Sequence, residues 1–180
     1  QQYHCFKDFD YFLANSQFML EELISGMSDG DTSLAENMLS RSMVVPPSLD
    51  PLQWRAIDEE CIDQNLAATN FICVGRLAPH KKIEDVIDWF HAYAALDNDS
   101  SLVIVGSDAP PVYAEAMREK VQSLPSAVSS NIHFAGHVTQ GQLKGLYKQS
   151  SALVTLSEHE GFCVPLLEAM YFELPIFARN

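Results

Sequence analysis

Glu160 and Glu168, with seven residues between them, are the side chains best placed to do chemistry in the stretch Ser157-Glu158-His159-Glu160-Gly161-Phe162-Cys163-Val164-Pro165-Leu166-Leu167-Glu168-Ala169-Met170. The first carboxylate precedes a glycine-containing turn, and the second lies inside a helix that Pro165 is expected to open. Gly161 permits close backbone approach. Proline at a first helical position leaves free N–H groups and a positive dipole end facing the turn, so an anionic ligand is the expected guest. Glu168, about one turn into that helix, can accept two hydrogen bonds from a ribose diol. Alternatively it merely complements the helix terminus, worth a few tenths to about 1 kcal/mol. Two basic residues, Arg76 and Lys81, follow an earlier apolar run in Val74-Gly75-Arg76-Leu77-Ala78-Pro79-His80-Lys81. They are close enough in sequence to converge on one diphosphate, the guanidinium by two parallel bonds and the ammonium as a point charge. The competing description is a pair of solvated cations after a strand.

The elements that must position these residues follow from hydrophobic periodicity. Ala152-Leu153-Val154-Thr155-Leu156 reads as a buried parallel strand, which sets the glutamate turn at a strand's carboxyl end, where open α/β sheets bind ligands. Strands are also predicted at Asn70 to Val74, Leu102 to Val105, Ile132 to Ala135 and Pro175 to Ala178. Between the first two, Ile83, Val86, Ile87, Phe90 and Ala94 fall on one helical face. Ala114, Met117, Val121 and Leu124 mark a second helix that Pro125 stops. Thr139 and Gln142 have capping-box spacing ahead of the inward-facing Leu143, Leu146 and Tyr147. Such alternation predicts an α/β fold, a Rossmann-like parallel sheet with helices on both faces. Upstream, Phe9 to Ala14 suits a strand, Ser16 a helix cap with Phe18, Leu20 and Ile24 following until Gly26, Asp29 to Ser33 a polar break, and Met43 to Val45 a short strand before Pro46-Pro47.

These segments together resemble the retaining glycosyltransferases of the GT-B fold, family 4 (glycosyl transferases group 1). The likeness rests on the paired glutamates, on Gly75-Arg76-Leu77 with its following lysine, and on Leu102-Val103-Ile104-Val105-Gly106 and Ile132-His133-Phe134-Ala135-Gly136-His137-Val138, in order across residues 70 to 180. It implies the C-terminal, donor-binding half of a GT-B fold, truncated at its end. Residues 1 to 45 would be the tail of an N-terminal domain, 46 to 69 an interdomain linker and 70 to 180 the donor domain. Arg76 and Lys81 would hold the diphosphate and Glu168 the ribose. Glu160 would act at the donor sugar, and Gly161, Phe162 and Cys163 would offer backbone N–H groups. Of the adjacent lysines, Lys81 rather than Lys82 fits the family spacing, and Glu158 reads as a flanking polar residue. Gly106-Ser107-Asp108 either lines the nucleotide pocket or is a plain turn. A glycosidase reading is set aside, because that chemistry needs both carboxylates flanking one bond. The implied reaction is sugar transfer from a UDP- or GDP-sugar, with retention, to a glycan or lipid-linked acceptor in polysaccharide, lipopolysaccharide or capsule assembly. A nucleotide-sugar binding module without transfer activity would keep the same residues. The fragment alone is expected to be inactive.

Composition narrows the partners. Ten Phe, six Tyr and two Trp in 180 residues suit a packed core, and the formal net charge of −13 disfavours nucleic-acid backbones and anionic lipid. The histidines show no metal-ligand spacing, so no metal and no cofactor beyond the donor are expected. No G-x-G-x-x-G follows the first strand, which argues against a nicotinamide-dependent oxidoreductase. Cys5, Cys61, Cys73 and Cys163 lack C-x-x-C spacing and are read as reduced, the location as cytoplasmic. Any membrane contact would be peripheral, through the absent N-terminal domain. Gln1 in place of Met suggests a piece of a longer chain.

Overall fold

The structure is a computed structural model that describes residues 9–28, 32–62, 66–108 and 110–179. Cys5 and the centre of the expected break at 29–31 lie outside them. The chain divides into two compact units, residues 1–48 with 160–164, and residues 49–159 with 165–180.

The first unit carries Phe12–Ala14 (β1), Gln17–Ser28 (α1), Thr32–Ser40 (α2) and Ser42–Val44 (β2), with the two strands paired in parallel. Ser16 caps α1 as expected, its Oγ accepting from the Met19 N–H at 3.1 Å. The helix does not stop at Gly26. It continues to Ser28 because Met27 enters a core with Leu34, Ala35 and Met38, and burying such a side chain outweighs the cost of about 1 kcal/mol for a helical glycine. Periodicity does not predict helix α2, whose first residues, Thr32 and Ser33, fall in the expected polar break. Leu34, Ala35 and Met38 make only a narrow apolar stripe among polar residues, and tertiary packing supplies the rest.

The second unit begins with Pro51–Ala56 (α3), a helix inside the stretch read as linker. Asp50 caps it by accepting from the Leu52 N–H at 2.8 Å, and proline follows at the first helical position. The sheet and its crossovers are Thr69–Val74 (β3), Ile83–Ala94 (α4), Ser100–Val105 (β4), Pro111–Gln122 (α5), Ser126–Ser129 (α6), Ile132–Gly136 (β5), Gln140–Gln149 (α7), Ala152–Thr155 (β6), Val164–Tyr171 (α8) and Ile176–Ala178 (β7). Only α6 among these was not expected. The five strands are all parallel, in the order β5-β4-β3-β6-β7. The order reverses at β3, so the topological switch lies between β3 and β6.

Strand alternation sends Phe71, Cys73, Leu102 and Ile104 to one face, against Val86, Phe90, Ala114 and Met117 of α4 and α5. It sends Ile72, Val103 and Val105 to the other, against Leu146 and Tyr147 of α7 and Ala169 of α8. Helices therefore cover both faces, as predicted. Ile72, Val103, Ile87 and Phe90 are wholly buried, each worth about 1.5 to 3 kcal/mol relative to exposure. The capping box of α7 forms, with Gln142 N–H on Thr139 Oγ1 at 3.1 Å and Thr139 N–H on Gln142 Oε1 at 3.0 Å. Residues 54 to 60 run along α7: Lys144 Nζ donates to the Trp54 and Ile57 carbonyls at 2.9 and 2.6 Å, and Glu60 N–H to the Gly141 carbonyl at 3.1 Å.

Candidate functional site

The post-strand loops of β3, β4 and β5 interlock at the carboxyl edge. Gly75 N–H donates to the Val105 carbonyl, Gly106 N–H to the Gly136 carbonyl, both at 2.9 Å, and Leu77 N–H to the Ser107 carbonyl at 3.0 Å. At Gly106 the packing excludes any side chain, since a Cβ there would lie 1.8 Å from the Gly75 carbonyl oxygen. These loops enclose a cleft of about 250 Å³ lined by Gly75, Arg76, Gly106, Ser107, Gly136 and His137, with Val138 and Leu143 on the α7 side. A ligand at this edge meets small residues and backbone, with Arg76 as the charged member.

Arg76 is exposed on the cleft wall. Lys81, at the end of the 3-10 turn Pro79–Lys81, folds back over the same loop: a Cβ on Gly75 would sit 3.5 Å from Lys81 Cε and 3.7 Å from its Nζ. The structure therefore brings Lys81 to the residue before Arg76. The adjacent Lys82 goes elsewhere. It adopts a left-handed conformation (φ 49°) at the start of α4, and its ammonium pairs with Glu158 at 3.0 Å and Glu84 at 3.8 Å. The hydrogen bond to Glu158 holds the Lys82 amine above its ordinary pKa. Glu158 is thus more than a flanking polar residue, because it also lies 3.5 Å from the Arg179 guanidinium and its N–H donates to the His80 carbonyl at 2.9 Å. Gly106 and Ser107 line the cleft, whereas Asp108 pairs with Arg118 at 2.7 Å.

Glu168 is the fifth residue of α8, one more than a proline opening would make it, because the helix starts at Val164 and Pro165 stands second. It is half-buried and does not line the cleft. Its Oε2 accepts a 2.8 Å hydrogen bond from the Tyr147 hydroxyl of α7. Burial raises its pKa, and the Tyr147 bond works the other way by favouring the charged form. The connection to the cleft runs along α7, where Leu143 at the cleft and Tyr147 are four residues apart on one face. Tyr147 was expected only as an inward-facing core residue. A buried tyrosine whose hydroxyl must find a partner was the available signal.

Glu160, Gly161, Phe162 and Cys163 group with the first compact unit, and Arg76, Lys81 and Glu168 with the second. Within the first, Gly161 packs beside Asn15, whose Nδ2 would be 2.9 Å from a Cβ at position 161. Cys163 is buried and takes φ 63°, a conformation uncommon for a residue with a side chain. Among the described residues, no group of three or more His, Cys, Asp or Glu could hold a metal ion, and no helix is long and apolar enough to cross a membrane.

Comparison with known proteins gives this arrangement a family. The chain is 31% identical over 114 residues to the serotype-specific mannosyltransferase WbdA of Escherichia coli, a match covering 63% of this chain and 14% of that protein. It is 34% identical over 107 residues to a GDP-mannose-dependent alpha-mannosyltransferase of Mycolicibacterium smegmatis, covering 59% of this chain and 24% of the relative. The chain thus spans about a seventh and about a quarter of those relatives. Among solved structures, Anabaena Alr3699/HepE in complex with UDP and glucose superposes with a TM-score of 0.71 at 17% identity, over 94% of this chain and 44% of that one. The C-terminal domain of a glycosyl transferase group 1 family protein from Francisella tularensis superposes with a TM-score of 0.55 at 20% identity, over 73% of this chain and 66% of that one. The fold is that of the GT-B glycosyltransferases. The sequence model of one family, glycosyl transferases group 1, matches residues 62–180, and the chain belongs to that family.

Proposed function

We propose that this chain carries the donor-binding part of a glycosyltransferase that moves a hexose from a nucleoside-diphosphate sugar to a glycan or lipid-linked acceptor, with retention of configuration as in family 4. The observation that carries the proposal is the return of Lys81 over Gly75, which puts two cations on one loop at the carboxyl edge of the central strand. Two fixed positive charges there suit the diphosphate, whose charge grows as the sugar–phosphate bond breaks, and stabilising that departing group is the main electrostatic task of such a site. Glu168 is assigned to the ribose and Glu160 to the sugar, with Gly161, Phe162 and Cys163 supplying backbone donors. The GDP-mannose-dependent relative of Mycolicibacterium smegmatis favours GDP-mannose as the donor; the serotype-specific mannosyltransferase of Escherichia coli and the O-antigen chain mannosyltransferase RfbU of Salmonella typhimurium, 32% identical over 114 residues, favour a role in surface polysaccharide assembly. No metal is required in this scheme.

The test is calorimetric titration with GDP, GDP-mannose, UDP, UDP-glucose and guanosine. Arg76→Ala should weaken GDP by about 1.5 to 3 kcal/mol, the worth of a charge-assisted bond, and leave guanosine nearly unchanged. Equal losses for both would remove the diphosphate assignment. A chelator should leave GDP affinity as it was.

A further inference from the structure

The pairing of Tyr147 with Glu168 points beyond the family assignment. Tyr147 is fully buried, and its ring is clamped from two sides. Phe172 stacks on it with centroids 5.2 Å apart and planes 13° apart, while Trp54 meets it edge-on at 6.4 Å and 85°. Trp54 in turn packs edge-on against Phe172 at 5.2 Å. A phenol held this way has little freedom to swing. Its hydroxyl spends its one proton on Glu168 Oε2, and among the described residues that carboxylate accepts no other hydrogen bond.

We propose that Tyr147 is a positioning residue: its clamped hydroxyl fixes Oε2 so that the remaining lone pairs of the Glu168 carboxylate face the two hydroxyls of the ribose. The inference rests on the ribose assignment of Glu168 above. The chemistry is one-sided by design of the parts. A carboxylate offers about four acceptor sites, and a single donor on one oxygen locks the plane of the group while leaving the other oxygen for a diol. The same donor favours the charged carboxylate, and a charged acceptor makes the stronger bond. Trp54 and Phe172 enter as the clamp, which gives α3 and the turn after α8 a part in nucleotide recognition although neither of these side chains contacts the nucleotide itself.

The experiment compares the full chain with Tyr147→Phe, Phe172→Leu and Glu168→Gln, titrating GDP and 2′-deoxy-GDP, with UDP and 2′-deoxy-UDP in parallel, across pH. Tyr147→Phe keeps the ring and removes only the hydroxyl. The expected result is a roughly fivefold to tenfold loss for the ribonucleotide, a change within about twofold for the deoxy compound, and an acid limb of GDP binding moved to higher pH. Phe172→Leu, which leaves the hydroxyl but loosens the clamp, should give a smaller loss of the same ribo preference and keeps the question answerable if Tyr147→Phe does not fold. Glu168→Gln should abolish the preference and leave only the acid limb set by protonation of the diphosphate itself. If Glu168→Gln loses the preference while Tyr147→Phe only lowers the melting temperature and keeps preference and limb, the positioning role is overturned and the ribose assignment stands. If Glu168→Gln itself keeps the preference, the ribose assignment fails and the positioning role falls with it.

Discussion

Replacing Gly106 by alanine attacks the interlocked loops where they have least room. The added methyl would stand 1.8 Å from the Gly75 carbonyl oxygen, 2.6 Å from its carbonyl carbon and 3.2 Å from the Arg76 nitrogen. All three neighbours are backbone, so no rotamer change relieves the contact. An ordinary 3.4 Å contact requires the β3 loop to move by roughly 1.6 Å, and it is held by the 2.9 Å bond from Gly75 N–H to the Val105 carbonyl. Overpacking costs about 1 to 3 kcal/mol, and φ of +151° adds about 1 to 2 kcal/mol of backbone strain for an L residue, roughly 2 to 5 kcal/mol together. For a protein of this length that lowers the melting temperature by roughly 5 to 15 °C. Gly136→Ala is the internal control. Its φ is +67° but a Cβ there meets nothing within 4 Å, so it should cost only the left-handed strain of about 1 to 2 kcal/mol. Thermal and urea denaturation followed by circular dichroism measure both. If the two variants melt within about 2 °C of each other, the close approach of the two loops described here is wrong, and with it the rigid placement of Arg76.

Two further outcomes follow from half-buried titratable groups. Glu168 has its folded pKa raised by burial, so the fold favours the protonated form and ionisation costs stability above the unfolded pKa. Glu168→Gln should therefore raise the melting temperature at pH 7 while lowering ribonucleotide affinity, with the gain disappearing below about pH 4. A melting temperature unchanged between pH 4 and 7 in that variant relative to the parent would contradict it. His133, on the edge strand β5, has its pKa lowered by burial, and its Nε2 has no hydrogen-bond partner among the described residues. The fold tolerates the neutral ring, so its stability is fully present above the unfolded value of about 6.5 and is lost as pH falls below it. His133→Leu should flatten the acid side of the stability–pH curve between about pH 6.5 and 5; an unaltered slope would show that the ring is solvated.

Much of the second unit was readable from residue types in order. Ile83, Val86, Ile87, Phe90 and Ala94 recur at helical spacing because one face of α4 lies on the sheet, and all five are buried. The capping box at Thr139 and Gln142 is a local interaction, closed within one turn, so sequence suffices to find it. Helices α2 and α3 were not readable in this way. The first is short, with a stripe too narrow to stand out, and the second depends on Trp54 entering an aromatic cluster with Tyr147 and Phe172 from distant parts of the chain.

The candidate site divides along the same line. Sequence alone marked Arg76, Lys81, Glu160 and Glu168 as candidate ligand groups: the first three stand between a strand and the helix that follows it, Glu168 stands inside such a helix, and their roles toward a sugar nucleotide come from the resemblance to glycosyl transferases group 1. Family spacing points to Lys81 over Lys82, and only the tertiary structure supplies the physical reason: Lys81 turns toward Gly75 while Lys82 is taken by Glu158, from a loop far along the chain. Only the tertiary structure, likewise, joined Tyr147 to Glu168 across two helices and closed Gly106 onto Gly75 across two strands. Those contacts are fixed by dense packing between segments remote in sequence, where sub-ångström fit determines what can be next to what, and periodicity carries no record of it.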